Sequence, residues 1–133
     1  MAIRQYTTPT LPLFIPGMQI ANADSIYVTF ETQDSSSYTA ERRCKHGNIL
    51  DGEADCENGG SFPNTFTGSD IIVTENESGT TILVPLSQEQ TGKLIPGTSI
   101  KAQVNWIKNG KRYATEKASI PITDNLLKVV LPL

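Results

Sequence analysis

A chain of 133 residues has room for one domain with a real core and not for two. Its net charge is −3 and its Lys and Arg are scattered apart from Arg42, Arg43 and Lys45, which argues against nucleic acid as a partner, because phosphate binding needs clustered cations. Charged residues are 19% of the composition, Thr, Ser, Gly, Pro and Asn are plentiful, and no long 3.6-residue period occurs; this predicts an all-β fold with many turns.

Residues 2–16 open the chain as an extended N-terminal arm or edge strand. Ala2 to Thr8 suits a first strand or an arm. Pro9, Pro12 and Pro16 then exclude helix and central-strand positions, because proline has no N–H to give a ladder. Thr10 to Ile15 therefore reads as an edge strand of its own domain, or as an arm laid on a neighbouring subunit. The prolines and the missing small-residue cleavage site also set this stretch apart from a signal peptide. Synthesis in a cytoplasm is expected, and no apolar run reaches the length of a membrane span.

Ser25 to Thr32 is a predicted strand, with Ile26, Val28 and Phe30 alternating against Tyr27, Thr29 and Glu31. Asp34 to Ser37 is a turn. Tyr38 to Arg43 is a short strand carrying Tyr38, Ala40 and Arg42 on one face. Cys44 to Ser69 breaks the pattern. It is rich in Gly, Asn and Asp, has no sustained period, and reads as one long inserted loop. Asp70 to Glu75 and Thr80 to Leu86 are strands joined by Asn76-Glu77-Ser78-Gly79. Ser87-Gln88-Glu89-Gln90 has the form of a capping box and predicts one helical turn up to Thr91. Asn125 to Leu131 is a predicted final strand. About seven to nine strands suit an immunoglobulin-like antiparallel β-sandwich over residues 1–133.

The hairpin from Gly97 to Thr123 organises the rest. Ile100, Ala102, Val104 and Trp106 share one face, and Ala114, Ala118, Ile120 and Ile122 are in phase on the return. A two-residue Asn109-Gly110 loop would set even residues against odd ones. A three-residue loop with Gly110 in a bulge pairs Ile107 with Lys111, Val104 with Ala114 and Ile100 with Ala118, and keeps the apolar faces together. The three-residue loop is the expected register, with Glu116 near an edge or a wet end. Trp106, Val104, Ile100, Val28 and Phe30 are the expected core.

Catalytic signals are weak. His46 is the single histidine, and no nucleophile elbow, phosphate-binding loop or zinc-protease motif occurs, so the reading is non-enzymatic, with no catalytic residue, cofactor or metal. Cys44 and Cys56 fit a disulfide, a pair of free thiols, or a metal site with His46, which would supply three ligands where structural zinc takes four. Asp51, Glu53, Asp55 and Glu57 alternate like the start of a calcium loop, but Cys56 stands where glycine is needed, so a solvated acidic turn is expected. Ile49, Leu50, Phe62 and Phe66 are expected to fold back on the sandwich rim. Asp51, Glu53, Asp55, Glu57, Phe62 and Phe66 are the candidate partner-contact residues of the loop.

MAIRQYTTPT at the start, IYVTFET, TTILVPLSQEQTGKL, IKAQVNWIKNGKRYATE and NLLKVVL together resemble small virion-associated proteins of tailed phages of Gram-positive gut bacteria. The order of signals is similar to the N-terminal immunoglobulin-like module of phage baseplate upper proteins. The resemblance covers nearly all of the chain except Arg43 to Ser69. It implies a structural protein of the virion, in the tail, baseplate or an accessory fibre, assembled with other virion proteins and as a homo-oligomer. It carries no catalytic motif. A head decoration or head-fibre protein, and a carbohydrate-binding or adhesion module for a host-surface ligand, are the alternatives.

Overall fold

Side chains alternate across a strand, so a period of two decides which face is buried. In the computed structural model, which describes residues 2–32, 37–44, 56–60 and 71–133, that alternation builds two packed sheets. The strands are β1 (Ile3–Arg4), β2 (Thr10–Pro16), β3 (Ser25–Glu31), β4 (Ser37–Cys44), β5 (Cys56–Gly60), β6 (Ile72–Asn76), β7 (Gly79–Pro85), β8 (Ser99–Lys108), β9 (Lys111–Ala114) and β10 (Ala118–Thr123). One sheet runs β1-β10-β8-β3-β4-β5, with β9 also on β8; the other is β2-β7-β6. Strand β1 pairs parallel with β10, and every other pairing is antiparallel. This is an all-β sandwich. Strands β4 and β5 extend the larger sheet at one edge.

The core lies between the sheets. Ile26, Val28 and Phe30 of β3 and Ile100, Ala102, Val104 and Trp106 of β8 face Leu11 and Ile15 of β2 and Ile82 and Val84 of β7. Trp106 is 3% exposed and sits directly between Ile26 and Tyr113 in the ladder. Ser87 caps the single short helix, α1 (Gln88–Gly92): its Oγ accepts from Gln90 N–H, and Gln90 Oε1 accepts from Ser87 N–H, the predicted capping box.

The hairpin register differs from expectation. Lys108 pairs with Lys111 across a two-residue turn, and Asn109 and Gly110 take φ of 53° and 75°. Trp106 therefore meets Tyr113, and Asn105 meets Ala114. Further down, Ala102 meets Ala118 and Ile100 meets Ile120. The parity changes between these two ladders, so the extra residue lies at Thr115 to Lys117 and not in the turn. Thr115 makes the break tolerable: its N–H donates to Val104 O (2.9 Å) and its Oγ1 accepts from Val104 N–H (3.1 Å), while Gln103 Nε2 donates to its carbonyl (2.8 Å). Ile120 and Ile122 are buried, but Ala114 and Ala118 are exposed, as is Glu116 in the break.

Residues 2–16 fold onto their own chain, with β2 at the edge of its sheet, as the edge-strand reading of this stretch has it and not as the arm reading does. Strand β2 pairs with β7 along its full length and buries Leu11 and Ile15. Ahead of it, Gln5 N–H donates to Thr123 O (2.9 Å), Gln5 Nε2 to Leu94 O (2.6 Å), and Thr7 N–H to Thr91 Oγ1 (3.0 Å). The predicted final strand is also absent: residues 124–133 follow β10 without regular structure.

Candidate interaction surfaces

The inserted stretch begins as a ladder. Strand β5 pairs with β4 from Ala40–Gly60 to Cys44–Cys56, so part of the segment read as a loop is an added edge strand. Glycines at positions 59 and 60 and Asn58 conceal this strand from a propensity reading. Cys44 is disulfide-bonded, and Cys56, opposite it, is the only other cysteine of the chain. Free thiols and a Cys-His metal site are thereby set aside. The bond closes a short loop, and removing it is expected to cost about 2–3 kcal/mol through chain entropy. Denaturant unfolding of a Cys44→Ser/Cys56→Ser variant checks this, and the parent under reductant should show the same loss.

Among the predicted contact residues, Asp51, Glu53, Asp55, Phe62 and Phe66 lie outside the described residues, as do His46, Ile49 and Leu50. Glu57 is placed by its backbone in β5, opposite Arg43. The structure does place the root of this hairpin. Cys44 N–H donates to Asp24 O (2.8 Å), and Asp24 N–H donates to Ile107 O (2.8 Å). The hairpin therefore leaves the sandwich at the same end as the Asn109-Gly110 turn.

The solvent face of the larger sheet carries a shallow depression of about 340 Å³ lined by Tyr27, Thr29, Thr39, Asn105, Ile107 and Arg112. Two pairs of its polar side chains are already engaged with each other. Arg112 Nε and Nη2 donate to Asn105 Oδ1 (3.2 and 3.1 Å), and the Thr29 and Thr39 hydroxyls bond each other at 3.1 Å. Among the described residues no group of His, Cys, Asp and Glu is arranged to hold a metal ion, and no helix is long and apolar enough to cross a membrane.

Two apolar surfaces stand out, and neither was found from the sequence. The first is the segment after Asn125. Leu126, Leu127, Val129, Val130, Leu131 and Leu133 are each 44% to 100% exposed. Their backbone is nonetheless held at both ends. Asn125 Nδ2 donates to Gln5 O (3.3 Å), and Asn125 Oδ1 accepts from Leu127 N–H (3.2 Å). At the far end the Gln88 amide acts as a strand partner: Nε2 donates to Leu131 O (2.6 Å) and Oε1 accepts from Leu131 N–H (2.8 Å). Gln88 is buried, so this pairing replaces water that its amide has lost.

The second surface is the outer face of β2-β7-β6. Pro12, Leu83 and Ile72 form one row across the three strands, and Phe14, Thr81 and Thr74 the next. Phe14 is 53% and Ile72 49% exposed. The outer face of an antiparallel sheet is ordinarily polar, and scattered apolar residues need no explanation, but a contiguous patch marks a contact. The sequence did contain the signal, because Phe14 and Ile72 stand out of phase with the core positions of their strands.

Comparison with protein-family models and with curated proteins finds no match for this chain.

Proposed function

We propose that this chain is a non-enzymatic structural protein of a tailed-phage virion, part of the tail, baseplate or an accessory fibre. It acts by protein–protein assembly and displays the disulfide-bonded β4–β5 hairpin at one end of the sandwich. The observation that carries the assembly role is the apolar segment 126–133, held in position by Asn125 and Gln88 with its side chains in solvent. A contiguous exposed apolar surface on a soluble domain marks a contact site. The virion setting rests on the resemblance to phage baseplate modules, to which the sandwich fold adds support. The rooting of the hairpin beside Asp24 and Ile107 suits a contact to a host-surface ligand or a neighbouring subunit, since loops on a rigid scaffold commonly carry binding.

The test is fractionation. Particles from an infected culture are purified, tails are separated from heads, and each fraction is read by mass spectrometry. The chain is expected with the tails at stoichiometric abundance. Finding it with the heads would assign it instead as a decoration or head-fibre protein. Its absence from both would end the virion reading.

A further inference from the structure

We infer that the apolar segment 126–133 of one copy covers the outer face of β2-β7-β6 on a second copy. The inference deepens the assembly half of the reading above and does not depend on the virion half.

Three observations carry it. Segment and face are exposed at the same time in one molecule, with the segment fixed at Asn125 and Leu131, so the two do not cover each other within a chain. Both surfaces belong to the same chain, so a second copy supplies to each the apolar partner it lacks. Their charges are also complementary. Lys128 is the only charged residue after Asp124, whereas Glu75 and Glu77 are the only charged residues of the three strands and of the turn joining β6 to β7. Glu75 stands opposite the buried Thr80 and its carboxylate accepts from Ala21 N–H, so it turns to the inner side; Glu77, exposed in the turn, is the acid at the rim of the face. A lysine flanked by Leu127 and Val129 can then meet the acidic rim while its neighbours lie over Phe14 and Ile72.

The contact joins two different patches and is therefore heterologous. Each copy gives a segment and receives one, so association continues to a closed ring or an open filament. Within residues 2–16 the backbone is already paired in the chain, so what that stretch offers a second copy is the outward side chains of β2, Pro12 and Phe14, as part of the β2-β7-β6 face. Edge proline residues protect the free side of β2 from strand addition, which leaves its outer face and not its edge for docking.

Sedimentation velocity on the full chain tests the proposal, with two variants that leave the core and the Gln88–Leu131 pairing in place. One is Leu127→Glu/Val129→Glu in the segment. The other is Phe14→Glu/Ile72→Lys on the face. The parent should associate with rising concentration, and each variant alone should sediment as a monomer. An equimolar mixture of the two should form a dimer and nothing larger, because only one intact segment and one intact face remain. Thermal melts of both variants should coincide with the parent; if one variant is unfolded, Leu127→Ser/Val129→Ser or Phe14→Ser replaces it. A parent that stays monomeric at every concentration would overturn the proposal and point to a different protein as the occupant. Variants that associate like the parent would overturn it by placing the contact elsewhere.

Discussion

Trp106→Ala should lower the unfolding free energy by about 3–5 kcal/mol, as truncation of a large core side chain does. Trp106 is 3% exposed on the inner face of β8, next to Ile26. Its ring also stacks on Tyr113, with centroids 5.6 Å apart and planes 17° from parallel. Truncation would remove the transfer term, leave a cavity that the rigid β3–β8 ladder cannot close, and expose the Tyr113 face. A urea melt measures it. An unmoved midpoint would show that Trp106 does not pack as described. Tyr113→Ala should cost distinctly less, because Tyr113 is 40% exposed.

Gly79→Ala should cost a comparable amount, about 3–5 kcal/mol, for a different reason. Gly79 begins β7 at φ +148°, a conformation that side chains rarely adopt. A Cβ there would lie 2.1 Å from Ile15 O and 3.0 Å from Pro16 Cα. Backbone strain contributes roughly 1–3 kcal/mol, and forcing β2 away from β7 contributes overpacking of similar size. Gly97→Ala is the control. Gly97 also has positive φ (+80°), but open space surrounds it, so only the strain of about 1–2 kcal/mol remains. The difference between the two melting midpoints isolates the clash. Equal midpoints would show that the strands part at no cost.

The strands legible in the sequence were those whose burial follows a period of two over a whole element. Strands β3, β7 and β8 are of this kind, and the Ser87–Gln90 capping box was legible because its signal is local. The register of the central hairpin was not. A two-residue turn was set aside because it broke the phase of the apolar residues. The chain restores the phase with one extra residue at the Thr115 break, where a hydroxyl substitutes for a ladder partner. No pattern of hydrophobicity encodes that substitution.

The N-terminal segment was ambiguous for a related reason. Its proline-broken sequence is held by Gln5, Thr7 and Thr91, and the bonds among Thr7, Thr91, Gln5 and Leu94 span 84 and 89 residues. Contacts of that range leave no local signature. The run Leu126 to Leu131 has the composition of a strand but no strand beside it. Gln88 pairs with the N–H and C=O of one residue, Leu131, and the apolar side chains of the run are left outward. Of the candidate contact residues, Glu57 is placed by register; the outer-face patch leaves a trace in the sequence, the out-of-phase Phe14 and Ile72, whereas the exposure of residues 126–133 leaves none.

Docking of segment 126–133 of one copy on the β2-β7-β6 face of another is tested most directly by zero-length coupling between Lys128 and the Glu77 carboxylate. Equal amounts of isotopically light and heavy chains are mixed, coupled and digested, and the joined peptides are read by mass spectrometry. Lys128–Glu77 peptides that pair light with heavy chains are expected. Coupling of Lys128 to Glu77 only within one isotope, or to carboxylates elsewhere on the sandwich, would contradict the docking.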